Sequence, residues 1–219
     1  MSLGASDPDV VLRERERMVE VQLRRRGICD ERVLDAMLRI PRHEFVAEQY
    51  REQAYEDHPL PIGEGQTISQ PFIVALSLQA LNLSGTESAL EVGTGSGYQT
   101  ALLAMLARRV FSMERHELLA KNAETILAHM GLQNVRVKWG DGSQGWPEHA
   151  PFNAILVSAA APSVPQSLAG QLADQGRMVI PVGPQDAQEL QVVRKQGRGS
   201  TIERIETCRF VPLVGAEGY

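Results

Sequence analysis

Cysteine is nearly missing from this chain. Cys29 and Cys208 are its only two in 219 residues, they lie far apart, and they form no C-x-x-C pair. That pattern argues against a disulfide framework or a thiolate metal knot, and it points to a reducing, cytoplasmic setting. No apolar run is long enough to cross a bilayer, so no membrane partner is expected. Met1–Gly4 has none of the basic-apolar-small order of a secretion signal. Positive charge is scarce as well: 22 Lys and Arg against 27 Asp and Glu leave a net charge of −5, which gives no reason to expect nucleic-acid binding. The five histidines show no metal-ligand spacing, so no metal is expected. Repeats and low-complexity stretches are absent. What remains, 43% hydrophobic and 22% charged, suits an ordinary globular protein, and the length suits one domain with a full core.

The first part, residues 5–83, reads as helices and a cover. Pro8 fits a first helical turn, with Ser6 or Asp7 as its cap. Val11, Met18, Val21 and Gln22 form the expected apolar face, and Gly27 closes the helix. The basic triplet Arg24–Arg26 reads as a solvated helix end rather than an anion site. Asp30 caps a second helix carrying Val33, Leu34, Met37 and Leu38 on one face, and Pro41 stops it. Phe45–Pro71 then shows little periodicity but contains tyrosines, prolines and glycines. A connection this long is usually functional or disordered, and its apolar content favours an ordered cover over a crevice. Tyr55 and His58 are weak candidates within it, His58 reading more simply as a surface residue. Pro71 opens a helix over Phe72–Leu83, so Ser69 reads either as its cap or as a functional hydroxyl.

Residues 84–219 read as the α/β core. Ser88–Val92 is a short apolar strand carrying Glu91, followed by Gly93, Gly95 and Gly97 on alternate positions and then by the helix former run Thr100–Ala107. Glycine lets a backbone hug a ligand and take up positive φ, and the helix behind points free N–H groups into the same crevice. A dinucleotide loop would have its third glycine where Tyr98 stands. A plain tight turn is the bland alternative. Val110–Met113 is a second strand ending in Glu114, roughly 20 residues past the loop, where an acid can accept both hydroxyls of a ribose. The competing reading of Glu114 is a solvated acid in the first turn of helix Glu117–Met130, whose Leu118, Leu119, Ala123, Ile126 and Leu127 face inward.

Asn134–Lys138 leads to Trp139-Gly140-Asp141-Gly142, where an acid in a glycine turn suits an adenine amino group. Asn153–Ala161 reads as a strand buried on both faces. Pro165–Leu172 is a short helix and Met178–Val182 another strand. Leu190–Lys195 and Thr201–Leu213 alternate like antiparallel strands joined near Gly197–Gly199. The fold class expected is a doubly wound, Rossmann-like α/β mixed sheet. It is mostly parallel with antiparallel C-terminal strands, has helices on both faces, and carries the N-terminal helical cover.

The order E-x-G-x-G-x-G at Glu91–Gly97 resembles motif I of class I S-adenosylmethionine-dependent methyltransferases. Further segments narrow the resemblance to the protein-L-isoaspartate O-methyltransferases. These are TISQP at Thr67–Pro71, ERHELLAKNA at Glu114–Ala123, GDGSQGWP at Gly140–Pro147, GRMVIPVG at Gly176–Gly183 and RFVPLVG at Arg209–Gly215. The glycine loop is widely shared among methyltransferases, whereas TISQP, GDG-x-x-GWP and RFVPL together are specific. The chain departs from the family pattern at Asn153, where Asp is usual, and at Gln175, where Gly is usual.

The resemblance implies methyl transfer from S-adenosylmethionine, leaving S-adenosylhomocysteine, to the free carboxylate of an L-isoaspartyl residue in a damaged peptide or protein. The ester then closes to a succinimide. It makes Ser69 the catalytic candidate. It makes Thr67, Ile68, Glu91, Gly93, Thr94, Gly95, Ser96, Gly97, Glu114, Arg115, Asp141 and Gly142 the cofactor-binding candidates, in a protein expected to be a monomer. A carboxylate is already ionised at neutral pH, so no strong base is needed, but it must be aligned and stripped of water. Two alternatives keep the same cofactor loop: a methyltransferase for another small acid or phenol, and a non-catalytic cofactor-binding module. A nicotinamide oxidoreductase is disfavoured by the glycine spacing.

Overall fold

The computed structural model describes residues 8–219. The expected caps Ser6 and Asp7 lie outside the described residues. Helix α1 (Pro8–Arg17) runs into a π turn over Met18–Leu23 and a 3-10 turn over Arg24–Arg26, ending at Gly27 with φ +95°. The wider π turn shifts the inward face: Met18, Val19 and Leu23 are buried, while Val21, expected inside, is 41% exposed. The basic triplet is an ion-paired end, with Arg24 on Glu31 and Glu20, Arg25 on Glu20 and Arg26 on Asp57. Asp30 caps α2 (Glu31–Arg39), accepting from the N–H groups of Arg32 and Val33, and Val33, Leu34 and Met37 are buried.

The cover is ordered by a feature too short to show as periodicity. Strands β1 (Leu60–Gly63) and β2 (Gln66–Ile68) form an antiparallel hairpin pairing Leu60 with Ile68. Helix α3 (Pro71–Leu81) follows, capped at Gln70 rather than Ser69. Its first free N–H, that of Phe72, goes to the Asp57 carboxylate at 3.0 Å.

The core continues with β3 (Ser88–Val92), α4 (Tyr98–Leu106), β4 (Arg109–Glu114), α5 (Glu117–His129), β5 (Val135–Trp139) and β6 (Phe152–Val157). It ends with α6 (Gln166–Gln171), β7 (Leu172–Val182), β8 (Gln188–Gln196) and β9 (Gly199–Cys208). One seven-stranded sheet has the order β5-β4-β3-β6-β7-β8-β9. Its first four pairings are parallel and its last two antiparallel. The chain leaves β3 first toward β4 and β5, then crosses back to β6 on the other side. That reversal opens a crevice at the C-terminal ends of β3, β4 and β6.

Side chains alternate across the sheet. Ala89, Val110, Ala154, Leu156 and Val179 join the core formed with α2, α3 and α4, whereas Leu90, Phe111, Ile155, Met178 and Ile180 join a second core with Leu168 of α6. Leu118, expected inward, is 57% exposed; α5 turns Leu119, Ala123 and Leu127 to the sheet instead.

The C-terminal reading also needs correction. The last strand stops at Cys208, and Val211–Leu213 crosses to Ala160, whose N–H donates to Val211 and whose carbonyl accepts from Leu213. Pro212, bridged to Ala160, has no N–H with which to continue a ladder. The two departures from the family pattern have local explanations. Asn153 Oδ1 accepts from the Ser88 N–H at 3.0 Å, a role an Asp oxygen fills equally. Gln175 adopts φ +60°, the left-handed region in which glycine is the natural residue.

Candidate functional site

At the end of β3 the chain turns through the glycine loop into α4. The N–H groups of Gly93 and Thr94 both donate to the Met113 carbonyl, at 2.8 and 3.3 Å, which ties the loop to the end of β4. Gly95 has φ +55°, and a Cβ there would fall 3.1 Å from Ile62 Cδ1 on the cover hairpin. Gly142 faces a harder limit, because a Cβ would fall 2.5 Å from Val92 Cγ1. Both glycines thus let backbone line the crevice where a side chain would fill it. The resulting cleft is open to solvent.

Most of the predicted residues come together on its walls. Thr67, Ile68 and Ser69 line it from the cover, Gly93, Thr94, Gly95 and Ser96 from the loop, Glu114 and Arg115 from the end of β4, and Gly142 from the turn after β5. Glu114 is not a solvated helix-turn acid: it closes β4 and is 4% exposed. Its two oxygens accept from the N–H groups of Gly95 and His116, each at 2.9 Å. Each oxygen keeps a lone pair for a further donor, as a pair of ribose hydroxyls requires.

Three predicted residues stand behind the walls. Gly97 is buried and ends the loop with φ +87°. Glu91 is fully buried under the loop, where its Oε2 accepts from the hydroxyls of Thr100 and Ser112, both at 2.5 Å. Ser112 also shares a 2.6 Å hydrogen bond with Thr94, so the acid reaches the loop through a hydroxyl relay. Burial raises the Glu91 carboxyl to about 7, against the pull of the two hydroxyls and with the push of the Glu114 charge.

Asp141 is the other case. Its Oδ1 accepts from the Ser143 N–H and hydroxyl, and its Oδ2 from Gln144 and the Ala216 N–H. Partial burial works against ionisation there, but these donors, Ala216 foremost, hold the carboxyl below its ordinary value. The expected adenine acceptor therefore has its lone pairs taken, and it caps a 3-10 turn and holds the C-terminal segment.

Sequence reasoning missed several wall residues. Val211, Pro212, Leu213 and Val214 close the cleft opposite the cover. RFVPLVG was visible as a family segment, but only its departure from the sheet brings it here. Ser158, bonded by Gln99 at 2.5 Å, also lines the cleft and had no sequence signal beyond its place after a strand. A second groove, bounded by Arg209, Phe210 and Gln70, shares Thr67, Ser69, Ser158, Val211 and Pro212 with the cleft. Ser69 stands at that junction, half-buried, and its hydroxyl makes no hydrogen bond among the described residues. His58 and Tyr55 are not part of either wall: His58 bonds Glu56 and the Pro59 carbonyl, and Tyr55 is buried between Arg15 and His43.

Comparison with known proteins fits this geometry. The family model described as protein-L-isoaspartate(D-aspartate) O-methyltransferase matches residues 13–218. A Koribacter versatilis protein-L-isoaspartate O-methyltransferase is 54% identical over 217 residues, covering 98% of each chain. That of Geobacter metallireducens is 56% identical over 206 residues, covering 94% of this chain and 95% of its own. A solved protein-L-isoaspartate O-methyltransferase superposes with TM-score 0.85 at 29% identity, over 93% of this chain and 67% of that one. A Plasmodium falciparum structure described as a beta-aspartate methyltransferase, in complex with S-adenosyl-L-homocysteine, gives TM-score 0.79 at 28% identity, over 91% and 98%.

Two measurements test the geometry. Gly95→Val puts a β-branched residue at positive φ against Ile62. Calorimetry should find S-adenosylmethionine binding lost while the far-ultraviolet circular dichroism stays native; near-normal affinity would remove the loop from the site. Glu91 is the subject of the second. Its folded value of about 7 lies above the ordinary 4.5, so its contribution to stability is fully present below about 4.5 and is lost as pH rises through 7. Urea midpoints should fall across that window by an amount equivalent to roughly 3 kcal/mol at most. In Glu91→Gln that part of the slope should vanish, and an unchanged slope would assign it elsewhere.

Proposed function

The chain belongs to the protein-L-isoaspartate(D-aspartate) O-methyltransferase family, and on that premise we propose how its residues divide the work. The protein is an S-adenosylmethionine-dependent enzyme that methylates the free carboxylate of L-isoaspartyl residues in damaged proteins. The cofactor supplies, when bound, an electrophilic methyl group on a sulfonium. The cleft fits it, since its loop and turn leave backbone bare at Gly95 and Gly142 and end in a buried acid with free lone pairs. In our reading Gly93–Ser96 cradles the methionine half, Glu114 takes the ribose hydroxyls, and Gly142 with Arg115 flanks the adenine end. Glu91 and Gly97 shape the loop without touching the cofactor.

The single observation that carries the catalytic assignment is the junction at Ser69. Ser69, whose hydroxyl makes no hydrogen bond among the described residues, lines both the second groove and the cofactor cleft. There it can donate to one oxygen of an incoming carboxylate and turn the other toward the methyl. Ile68, Val92, Met113 and Leu213 on the cleft wall exclude water from that oxygen, which a hydrated carboxylate needs in order to react. The groove beside Arg209 and Phe210 takes the flanking peptide. We further read residues 5–83 and 84–219 as one methyltransferase domain working as a monomer in the cytoplasm. The core shared by α2, α3, α4 and the sheet, and the free thiols of Cys29 and Cys208, support this reading. Among the described residues no helix is long and apolar enough to cross a membrane.

Because Gln70 caps α3, Ser69→Ala should leave stability within about 0.5 kcal/mol of the parent. Loss of a hydrogen bond to a charged group predicts a fall of roughly 10- to 100-fold in kcat/KM, with S-adenosylmethionine affinity unchanged. Parental turnover would end the catalytic role of Ser69. The substrate reading is tested by twin peptides that differ only in linkage. An isoaspartyl chain runs through the side-chain carbon and leaves the α-carboxylate free, so a groove that fixes the backbone delivers a carboxylate in one twin only. A misplacement of about 1 Å can cost a hundredfold in rate. The L-isoaspartyl peptide should be labelled strongly and its L-aspartyl twin near background; equal labelling would indicate a general carboxyl methyltransferase.

A further inference from the structure

Arg42 is fully buried, yet no carboxylate lies within ion-pairing distance of it among the described residues. Its Nε donates to the Ala54 carbonyl and its Nη2 to the Ser69 carbonyl, both at 2.8 Å. The guanidinium lies 5.0 Å from the centre of the Tyr98 ring, and Nη1 has no hydrogen-bond partner among the described residues. Asp57, the acid that attracts it, already holds Arg26 and the N–H of Phe72. Burial lowers the guanidinium to about 10, so it is still cationic at neutral pH.

A buried charge without a counter-ion is expensive, and most are neutralised by a partner. The position of this one is informative. The carbonyl it grips belongs to Ser69, and the ring it faces belongs to the residue directly after Gly97. One guanidinium therefore spans the cover and the cofactor loop, one peptide behind the junction of cleft and groove.

We propose that Arg42 is a positioning residue for methyl transfer, which locks the Ser69 peptide against the glycine-loop helix and supplies the positive potential that draws the substrate carboxylate to that junction. This rests on the reading of Ser69 as the carboxylate holder. The reaction sets the sign of the effect. The carboxylate loses its charge as the ester forms, so a cation in direct contact with it would stabilise the reactant more than the transition state. Held behind a peptide, the cation favours binding while leaving the attacking oxygen free. The fork serves the first part of the role, because two carbonyls are fixed by one planar group that a lysine ammonium cannot imitate.

The test uses the whole enzyme and two inhibitory peptides, one with a free carboxylate at the reacting position and one with the neutral amide. In the parent the carboxylate peptide should bind at least tenfold more tightly. Arg42→Met should shrink that ratio to about two or less, with S-adenosylmethionine affinity by calorimetry within twofold of the parent. Arg42→Lys, which keeps the charge but not the fork, should keep the ratio and lose tenfold or more in kcat. If Arg42→Met does not fold by circular dichroism, the parent's ratio and the Arg42→Lys split still decide the matter. Equal binding of the two peptides by the parent would overturn the proposal, as would a full ratio in Arg42→Met or parental kcat in Arg42→Lys. Ser69→Ala run alongside separates the premise: its parental turnover would overturn both readings, whereas its impairment beside a full ratio in Arg42→Met would overturn the Arg42 role alone.

Discussion

Everything at this site depends on backbone being held bare and still at the end of one strand. Three of the five loop residues are glycines with no side chain to pack, so the loop's position is set largely from outside. The Met113 carbonyl takes two of its N–H groups and the Glu114 carboxylate takes a third. Both come from the end of β4, and β4 is in register with β3 along its whole length. The sheet thus fixes the loop through hydrogen bonds rather than through packing, and the glycines stay available for a ligand. The same need for close approach explains Gly142, where Val92 leaves no room for a Cβ.

The buried charges form a pattern around this frame. Glu114 lies on the loop side of the cleft, near a Glu91 whose burial favours its neutral form, and Arg42 lies behind the cover. A reaction that joins a cationic methyl donor to an anionic acceptor, and leaves both neutral, matches such a division of sign. Burial is what makes these groups effective, since charges in a low-dielectric interior are screened little. It also makes them costly. The protonation pull on Glu91 and the orphaned Nη1 of Arg42 show local stability given up in the neighbourhood of the chemistry.

Much of the fold was legible because it rests on local rules. The strand before the glycine loop, the acid at the end of β4 and the Asp30 cap all follow from residue type and spacing. The failures have physical causes as well. A π turn changes the angular period, so Val21, apolar at helical spacing, falls on the exposed face. Leu118 is apolar by composition but sits a quarter-turn away from the inward stripe of α5. The cover hairpin has strands of three and four residues, too short for alternation to register. Ser158, Arg42 and the Val211–Val214 wall are defined by contacts between distant segments, which no local window contains. Asp141 was recognised as an acid in a glycine turn, but its saturation by Ser143 and Ala216 involves a residue at the far end of the chain.

That distant segment also decides whether the site is closed. The cofactor cleft has two opposing walls, one from Gln66–Ser69 and the other from Val211–Val214, with the loop as its floor. The first wall and the floor come from neighbouring stretches of the chain, whereas the second comes from a distant one. Without the second wall, the glycine loop, Glu114 and the Ser69 hydroxyl would form an open shelf that lacks the surface shutting water out. The hydrogen bonds that dock Val211 and Leu213 on Ala160 are what turn that shelf into a cleft.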